Sequence, residues 1–140
     1  MKQQSPVGGV VPHIMITDGR GQDAVAFYRE AFGAEELFRQ LGQDGKRLMH
    51  AHLRINQGSL MLHDDFPEMR GGSPPPPIGG TVLHLEVDDA ERWWMRALAA
   101  GAQVRFPLEK QFWGALYGQV TDPFGYTWSI ATDLPVEKGA

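Results

Sequence analysis

Two stretches of sequence decide the fold of this chain: Val10–Asp18, which reads VVPHIMITD, and Thr81–Asp89, which reads TVLHLEVDD. They align without a gap, and in each of them a histidine, His13 or His84, stands five residues before an aspartate. Both stretches are rich in β-branched and apolar residues and end in polar turn residues, so each is predicted to form a strand. The match predicts an internal duplication of the chain.

A helical pattern follows each of these strands. Apolar residues recur at intervals of three and four residues as far as Gly33 in the first copy and Gly101 in the second, where glycine supplies a C-terminal stop. The predicted helices run near residues 22–32 and 89–100. Aromatic pairs at equivalent positions of the two helices are predicted to lie in the core: Phe27-Tyr28 and Trp93-Trp94.

Three short strands are predicted after each helix, so each half is expected to be a βαβββ module. Between the halves, the segment Asp64–Gly80 reads DDFPEMRGGSPPPPIGG, and its proline and glycine content favours neither helix nor central strand. We therefore predict one α+β domain over residues 10–133, with modules at 10–65 and 80–133 joined by a linker at 66–79. The predicted strands after the helices are Glu36–Gln40, Leu48–Ile55, Ser59–His63, Gln103–Pro107, Ala115–Thr121 and Tyr126–Ala131.

Composition narrows the functional classes. The chain has 140 residues and no cysteine, which excludes thiol nucleophiles, cysteine-ligated metals and disulfides. A formal net charge of −4 gives no electrostatic basis for binding nucleic acid. No apolar run approaches the ~20 residues that a membrane span needs. We expect a cytoplasmic protein that binds neither nucleic acid nor membrane.

Adjacent carboxylates occur twice, at Asp64-Asp65 and at Asp88-Asp89. Both pairs fall where a predicted strand ends, so solvated turn or helix-cap roles are favoured over catalysis. Asp88 together with Glu91 is expected to cap the start of the second helix.

Several short motifs carry a resemblance to a known family. They are FYREAFGA at 27–34, MHAHL at 49–53, FWG at 112–114 and DPFG at 122–125, followed by Trp128. With the duplicated βαβββ pattern, the chain resembles the vicinal oxygen chelate superfamily of glyoxalase I, bleomycin and fosfomycin resistance proteins and extradiol dioxygenases, and within it the PhnB-like branch. The resemblance implies two modules that form a cupped mixed sheet, a small-molecule ligand on its concave face, and a homodimer.

The resemblance also implies positions for metal ligands on the first and last strand of each module. Counting from the DPFG turn gives Ser129, and the internal repeat gives Met61 as its counterpart. The first strands contribute Val11 and Val82. These side chains are poor ligands, so no cofactor is the leading expectation.

Two residues further along three of these strands stand His13, His63 and His84. Side chains two apart on a strand share a face, so the three imidazoles are expected to point the same way. They are the candidate ligands for a divalent ion such as zinc, nickel, manganese or iron, if any metal is bound. The alternative is that each histidine only makes hydrogen bonds to the core or to a ligand.

His50, His52 and Arg54 share one face of a predicted strand. His52 and His50 are the candidate catalytic groups for moving a proton, and Arg54 is a candidate ligand-binding residue. The alternative is a solvated strand edge.

The second module supplies the other candidate binding residues. Trp113, in a loop beside a glycine, can close over a planar ligand by stacking, or it can pack at an interface. Tyr117 and Gln119 share a strand face and match His50 and His52 in the repeat. Ser129 and Met61 complete the candidate ligand-binding set.

Three functions follow from these observations. The first is a protein that binds a small organic molecule without the family's usual metal site. The second is a metal-dependent lyase, isomerase or dioxygenase that stabilises an enolate or oxyanion. The third is a non-catalytic association module.

Overall fold

The computed structural model describes residues 5–135, and the chain divides into two compact units between Pro77 and Ile78. Each unit contains one helix and one four-stranded mixed sheet. The fold is therefore α+β with two repeated modules, as the sequence predicts. The exact limits of the modules and of the linker at 66–79 stay a prediction.

The first module has the strand order β1-β4-β3-β2. Strand β1 runs parallel to β4, and the other neighbours are antiparallel. The helix α1 packs against β2, β3 and β4. The elements are β1 (His13–Ile16), α1 (Gly21–Phe32), β2 (Glu35–Leu41), β3 (Leu48–Ile55) and β4 (Gly58–Asp64).

The second module repeats this arrangement with the order β5-β8-β7-β6. Strand β5 runs parallel to β8, and α2 packs against β6 and β8. The elements are β5 (Val82–Glu86), α2 (Ala90–Ala100), β6 (Gln103–Lys110), β7 (Ala115–Thr121) and β8 (Thr127–Asp133). The predicted limits of β3 and β7 are confirmed, whereas β6 continues three residues beyond the predicted Pro107.

The registers of the two sheets confirm the duplication. His13 lies opposite Met61 in the first sheet, and His84 lies opposite Ser129 in the second. Each module buries a core between its helix and its sheet, and the aromatic residues Tyr28 and Trp94 are buried in it. Trp93, in contrast, is half-buried and donates its Nε1–H to a carboxylate oxygen of Asp88, at 3.3 Å, so its predicted core position is wrong.

The helices end as predicted but begin differently. Gly33 and Gly101 both have positive φ, 64° and 121°, and both donate a backbone N–H to the last turn. Asp89, not Asp88, caps α2, and its carboxylate accepts the N–H of Arg92 at 3.1 Å. The expected cap of Asp88 with Glu91 is wrong by one residue because the helix begins only at Ala90.

The start of α1 has no cap from its own residues. Its first residue, Gly21, instead donates its N–H to Oδ1 of Asp64 at 2.8 Å, and Leu48 donates to Oδ2 of the same carboxylate at 2.7 Å. Asp64 is fully buried, so the solvated-turn alternative is wrong, whereas the helix-cap alternative is confirmed by its bond to the first residue of α1. Its carboxylate joins α1, β3 and β4.

Most of the segment between the modules is exposed, as its composition predicts. Its first part is nevertheless ordered, because Pro67–Arg70 forms a short 3-10 helix that ends at Gly71 with φ 67°. Proline at the first helical position favours such a turn, a feature that the sequence analysis did not anticipate.

Candidate functional site

In both sheets, side chains alternate between the face toward the helix and the opposite face, which we call the far face. In the first sheet, the helix side holds buried aliphatic residues such as Ile14 and Leu62. The far face carries residues of β1, β3 and β4 that are less buried, except His52. These residues are His13, Met15, His50, His52, Met61 and His63.

Three of the far-face imidazoles in the first module lie close together. The ring centroid of His13 is 4.9 Å from that of His63 and 5.9 Å from that of His50. Partial burial lowers the pKa of His13 below its usual 6.5, and the neighbouring His63 and His50 lower it further. Burial lowers the pKa of His50 as well, with His52 and His63 adding to the effect. These surroundings favour the neutral forms of His13 and His50.

Hydrogen bonds orient two of the histidines. Nδ1 of His63 lies 2.8 Å from the carbonyl oxygen of Asp64, which can only accept, so Nδ1 carries the proton. His52 is only 1% exposed, and its Nε2 lies 2.9 Å from Oγ of Ser59. Of the two candidate proton carriers, His50 is therefore the more accessible. Arg54 is exposed at the end of β3, where it pairs with Glu35 at 3.4 Å.

The far face of the second sheet holds a different set of groups. Nδ1 of His84 lies 2.6 Å from Oγ of Ser129, and its Nε2 lies 3.0 Å from Oε1 of Glu86. A carboxylate accepts the Nε2–H, so Nδ1 of the neutral ring accepts the hydroxyl proton of Ser129. The order of groups matches a serine–histidine–carboxylate triad, but Ser129 is only 1% exposed. The arrangement suits recognition by His84 better than attack by Ser129.

An aromatic row continues from His84. Its ring stacks on that of Tyr117 with centroids 6.1 Å apart, and Trp113 meets Tyr117 edge-on at 5.8 Å. Phe112 then contacts Trp113 at 4.9 Å. Trp113 is 55% exposed and lines a pocket of about 680 Å³ formed by the loop 110–114 and residues 133–135. An exposed aromatic surface of this kind can stack on a planar ring.

Polar groups beside the row are held in place. Gln119 is largely buried and donates its Nε2–H to the hydroxyl oxygen of Tyr117 at 2.9 Å. Arg105 donates from Nε to Oε1 of Gln119 at 3.3 Å. The amide of Gln119 is thereby fixed in one orientation, which gives a ligand a defined donor and acceptor pattern to meet.

The positions that correspond to the family's metal ligands carry weak donors in this chain. The residue opposite Met61 is His13 and the residue opposite Ser129 is His84, where the sequence analysis placed Val11 and Val82. A thioether and a neutral hydroxyl therefore stand where charged ligands would be needed. Zinc, manganese and iron are bound by imidazole, thiolate or carboxylate groups, so Met61 and Ser129 do not fit such an ion.

The alternative ligand set of His13, His63 and His84 is divided between the modules. His13 and His63 meet in the first module, and His84 in the second is engaged by Ser129 and Glu86. Within residues 5–135, no group of three or more histidine, aspartate or glutamate side chains is arranged to hold a metal ion.

Sequence reasoning missed Glu86 and Arg105 beside the far face of the second sheet, and it did not anticipate the buried contacts of Asp64 in the first module. Glu86 could have been found, because it stands two residues after His84 on the same face of a strand. Asp64 also gave a signal, since a carboxylate at an inward-facing strand position must have partners. Arg105 gave no such signal, because the register irregularity between Val104 and Phe106 interrupts the alternation of side chains between the two faces of β6.

Two repeated α+β modules, each with polar and aromatic groups on the far face of its sheet, define the class of this protein. The family model for the Glyoxalase/Bleomycin resistance protein/Dioxygenase superfamily matches residues 10–130, and the chain belongs to that superfamily.

Several relatives and solved structures are similar to this chain. The uncharacterized protein Rv0887c of Mycobacterium tuberculosis is 49% identical over 123 residues, covering 85% of this chain and 71% of the relative. The crystal structure of PA1353 from Pseudomonas aeruginosa is 27% identical with a TM-score of 0.71, covering 90% of this chain and 98% of that one. A PhnB protein from Bacillus cereus shares the fold at 17% identity and a TM-score of 0.63, covering 91% and 100%.

Over residues 5–135, neither helix has the length and apolar character that crossing a membrane requires.

Proposed function

We propose that this protein binds a small, planar organic molecule on the far face of its second module, without the metal site usual in the family. The observation that carries the proposal is the aromatic row of His84, Tyr117 and Trp113 beside the fixed amide of Gln119. Apolar rings with a few oriented polar groups are the usual composition of a small-molecule site.

Each group has a distinct part in the proposed binding. Trp113 stacks on the ligand and covers it from water, because more than half of its surface is free in this structure. Gln119 fixes the ligand's orientation through the amide hydrogen and the oxygen lone pair that Tyr117 and Arg105 leave over. His84 adds ring surface to the site, because both of its nitrogens are engaged by Ser129 and Glu86. Ser129 and Glu86 hold the ring of His84 in one tautomer.

The experiment is calorimetric titration with planar bicyclic heteroaromatic amides, each paired with its ring-saturated counterpart. The planar members should bind and the saturated ones should not. Trp113→Ala should weaken binding by about 1–3 kcal/mol, a typical loss for a buried aromatic contact. Trp113→Phe retains a ring and should keep most of the affinity. Equal binding of planar and saturated compounds would contradict the proposal.

Elemental analysis of the purified protein separates this function from a metal-dependent enzyme. The proposal expects less than one divalent ion per chain and no loss of ligand binding after treatment with a chelator. The competing function expects a stoichiometric ion that is lost in His13→Ala, His63→Ala or His84→Ala. That result would overturn the proposal.

We also propose a cytoplasmic homodimer. In support, β6 lies at the edge of its sheet and leaves Val104 and Phe106 about half exposed, at 51% and 52%. Proteins usually cover or pair such edges. Light scattering should give twice the 15.5 kDa of the chain, and a mass of one chain at all concentrations would contradict the dimer.

A further inference from the structure

The first module contains a second pocket that the proposed function does not use. It has a volume of about 370 Å³ and lies where the 3-10 helix Pro67–Arg70 passes the ends of β1, β3 and β4. Its apolar lining is Met15, Met49, Phe66 and Met69. We propose that this pocket binds a neutral aromatic molecule that carries one hydrogen-bond donor, such as an aryl amine or a phenol.

The thioether lining favours an aromatic ligand. Three of the six methionines in the sequence line this one pocket. Methionine side chains adapt to irregular shapes, and their sulfur atoms make favourable contacts with aromatic rings. Met49 and Met69 are 40% and 70% exposed, so a ligand in the pocket would remove apolar surface from water.

Contacts with Arg47 fix Phe66 and the 3-10 helix at one side of the pocket. The guanidinium of Arg47 lies 4.2 Å from the centre of the Phe66 ring. The same group donates two hydrogen bonds to Glu68, at 2.9 and 2.6 Å, and one to Asp44, at 2.6 Å. A preformed wall lowers the entropy lost on binding.

The charged groups that line the pocket already have partners. Arg70 donates two hydrogen bonds to Asp65 and a third, from Nε, to the carbonyl oxygen of Ser73 at 2.7 Å. The carboxylate of Asp64 is occupied by the backbone N–H groups of Gly21 and Leu48. A ligand with its own net charge would therefore lose hydration without gaining an unpaired counter-charge, and a neutral ligand is favoured.

His63 supplies the polar contact. Because its Nδ1–H is donated to the carbonyl oxygen of Asp64, Nε2 of the neutral ring carries the lone pair. His63 is one of the residues that line the pocket, and in the proposed complex its Nε2 accepts an N–H or O–H from the ligand. Because Nε2 of His63 is an acceptor, the ligand must carry an N–H or O–H donor.

Two fluorescent probes test the charge and the location of binding. N-phenyl-1-naphthylamine is neutral and has one N–H, and 1-anilinonaphthalene-8-sulfonate adds only an anionic group. The neutral probe should bind at least about tenfold more tightly. In protein carrying ¹³C-methyl methionine, it should shift the methyl signals of Met15, Met49 and Met69 and leave that of Met95 unchanged.

Matched variants locate the site. Met69→Glu should weaken the neutral probe by about tenfold or more, whereas Met95→Glu should leave its affinity unchanged, since both side chains are similarly exposed, at 70% and 66%. His63→Phe should cost about three- to tenfold for this probe and nothing for its N-methyl derivative, which lacks the donor.

Three results would overturn the proposal. They are equal affinity for the two probes, wild-type affinity in Met69→Glu, and methyl shifts at Met61 or Met95 without shifts at Met49 and Met69. Trp113→Ala should leave the methyl shifts intact. The result for this pocket is therefore independent of the result for the proposed function, because the groups of the proposed function all lie in the second module.

Discussion

The two modules share their sheet register but not the chemistry of their far faces. Where the first module has His50 and His52, the second has Tyr117 and Gln119, and Met61 corresponds to Ser129. Most buried strand residues toward the helices are small or aliphatic in both copies, with Asp64 and Trp128 as the exceptions. The comparison shows that packing toward the helix preserves the fold, whereas the far face is free to take up separate functions.

The modules also differ in how their helices begin. Helix α2 is capped by the adjacent Asp89, and α1 by Asp64, which lies 43 residues after Gly21 in the sequence. A local cap affects one helix, whereas the distant carboxylate joins a helix to two strands. The predictions below test this contrast, beginning with the largest expected effect.

Asp64→Ala should lower the free energy of unfolding by about 2–5 kcal/mol, because two buried N–H groups lose their acceptor. The repeat equivalent, Thr132, makes one hydrogen bond, to the carbonyl oxygen of Val87 at 3.0 Å. Thr132→Ala should therefore cost only about 1 kcal/mol. Urea unfolding measures both, and equal losses would show that the carboxylate has no special structural role.

Gly118→Ala should destabilise the protein by about 1–3 kcal/mol through overpacking. A Cβ there would lie 2.7 Å from the ring of Trp94 and 2.8 Å from Cα of Leu108. The first module has Ala51 at this position, so Ala51→Gly should cost about 1 kcal/mol or less. Thermal unfolding of the two variants distinguishes tight packing against α2 from a general preference for glycine at this position of the sheet.

Asp89→Ala should cost about 1 kcal/mol, the usual loss for an N-cap. Its repeat equivalent, Asp18, caps no helix, and its side chain is 82% exposed. Asp18→Ala should change the free energy of unfolding by less than about 0.5 kcal/mol. A larger effect for Asp18 than for Asp89 would contradict the assigned difference between the two helix starts.

The smallest effect concerns pH. Because the pKa values of His13 and His50 are lowered in the folded state, the unfolded state binds more protons just below pH 6.5. Stability contributed by the neutral rings is present above that pH and is lost as the pH falls. His50→Tyr, which gives the first module the residue type of the second, should reduce this loss. NMR titration of the imidazole signals and urea unfolding at several pH values provide the measurements.

The elements and their faces could be predicted from the sequence, but the finer pairing could not. Alternation of apolar and polar residues identified β3 and β7 at their observed limits, because one face of each is buried. The same alternation cannot distinguish His13 from Val11 as the neighbour of Met61, since a shift of two residues leaves every side chain on its original face.

The pocket in the first module could not be predicted for another reason. Its walls come from separate parts of the chain, and the segment that closes it was interpreted as linker because of its proline and glycine content. Ion pairs of Arg47 and Arg70 order that segment, and such pairs are set by three-dimensional proximity rather than by a local pattern. The far-face histidines, in contrast, followed from strand periodicity alone.

The distant carboxylate at the start of α1 also bears on the order in which the chain can fold as it is synthesised. The residues of α1 are made before β2, β3 and β4, and the acceptor for the N–H of Gly21 is added only when Asp64 has been made. Helix α2 already has its acceptor when Arg92 is added, because Asp89 precedes it by three residues. Closing the longer loop costs more chain entropy. The first residue of α1 is therefore expected to form its hydrogen bond to Asp64 only after β4 has joined the sheet. This is expected even though α1 leaves the ribosome before β2, β3 and β4.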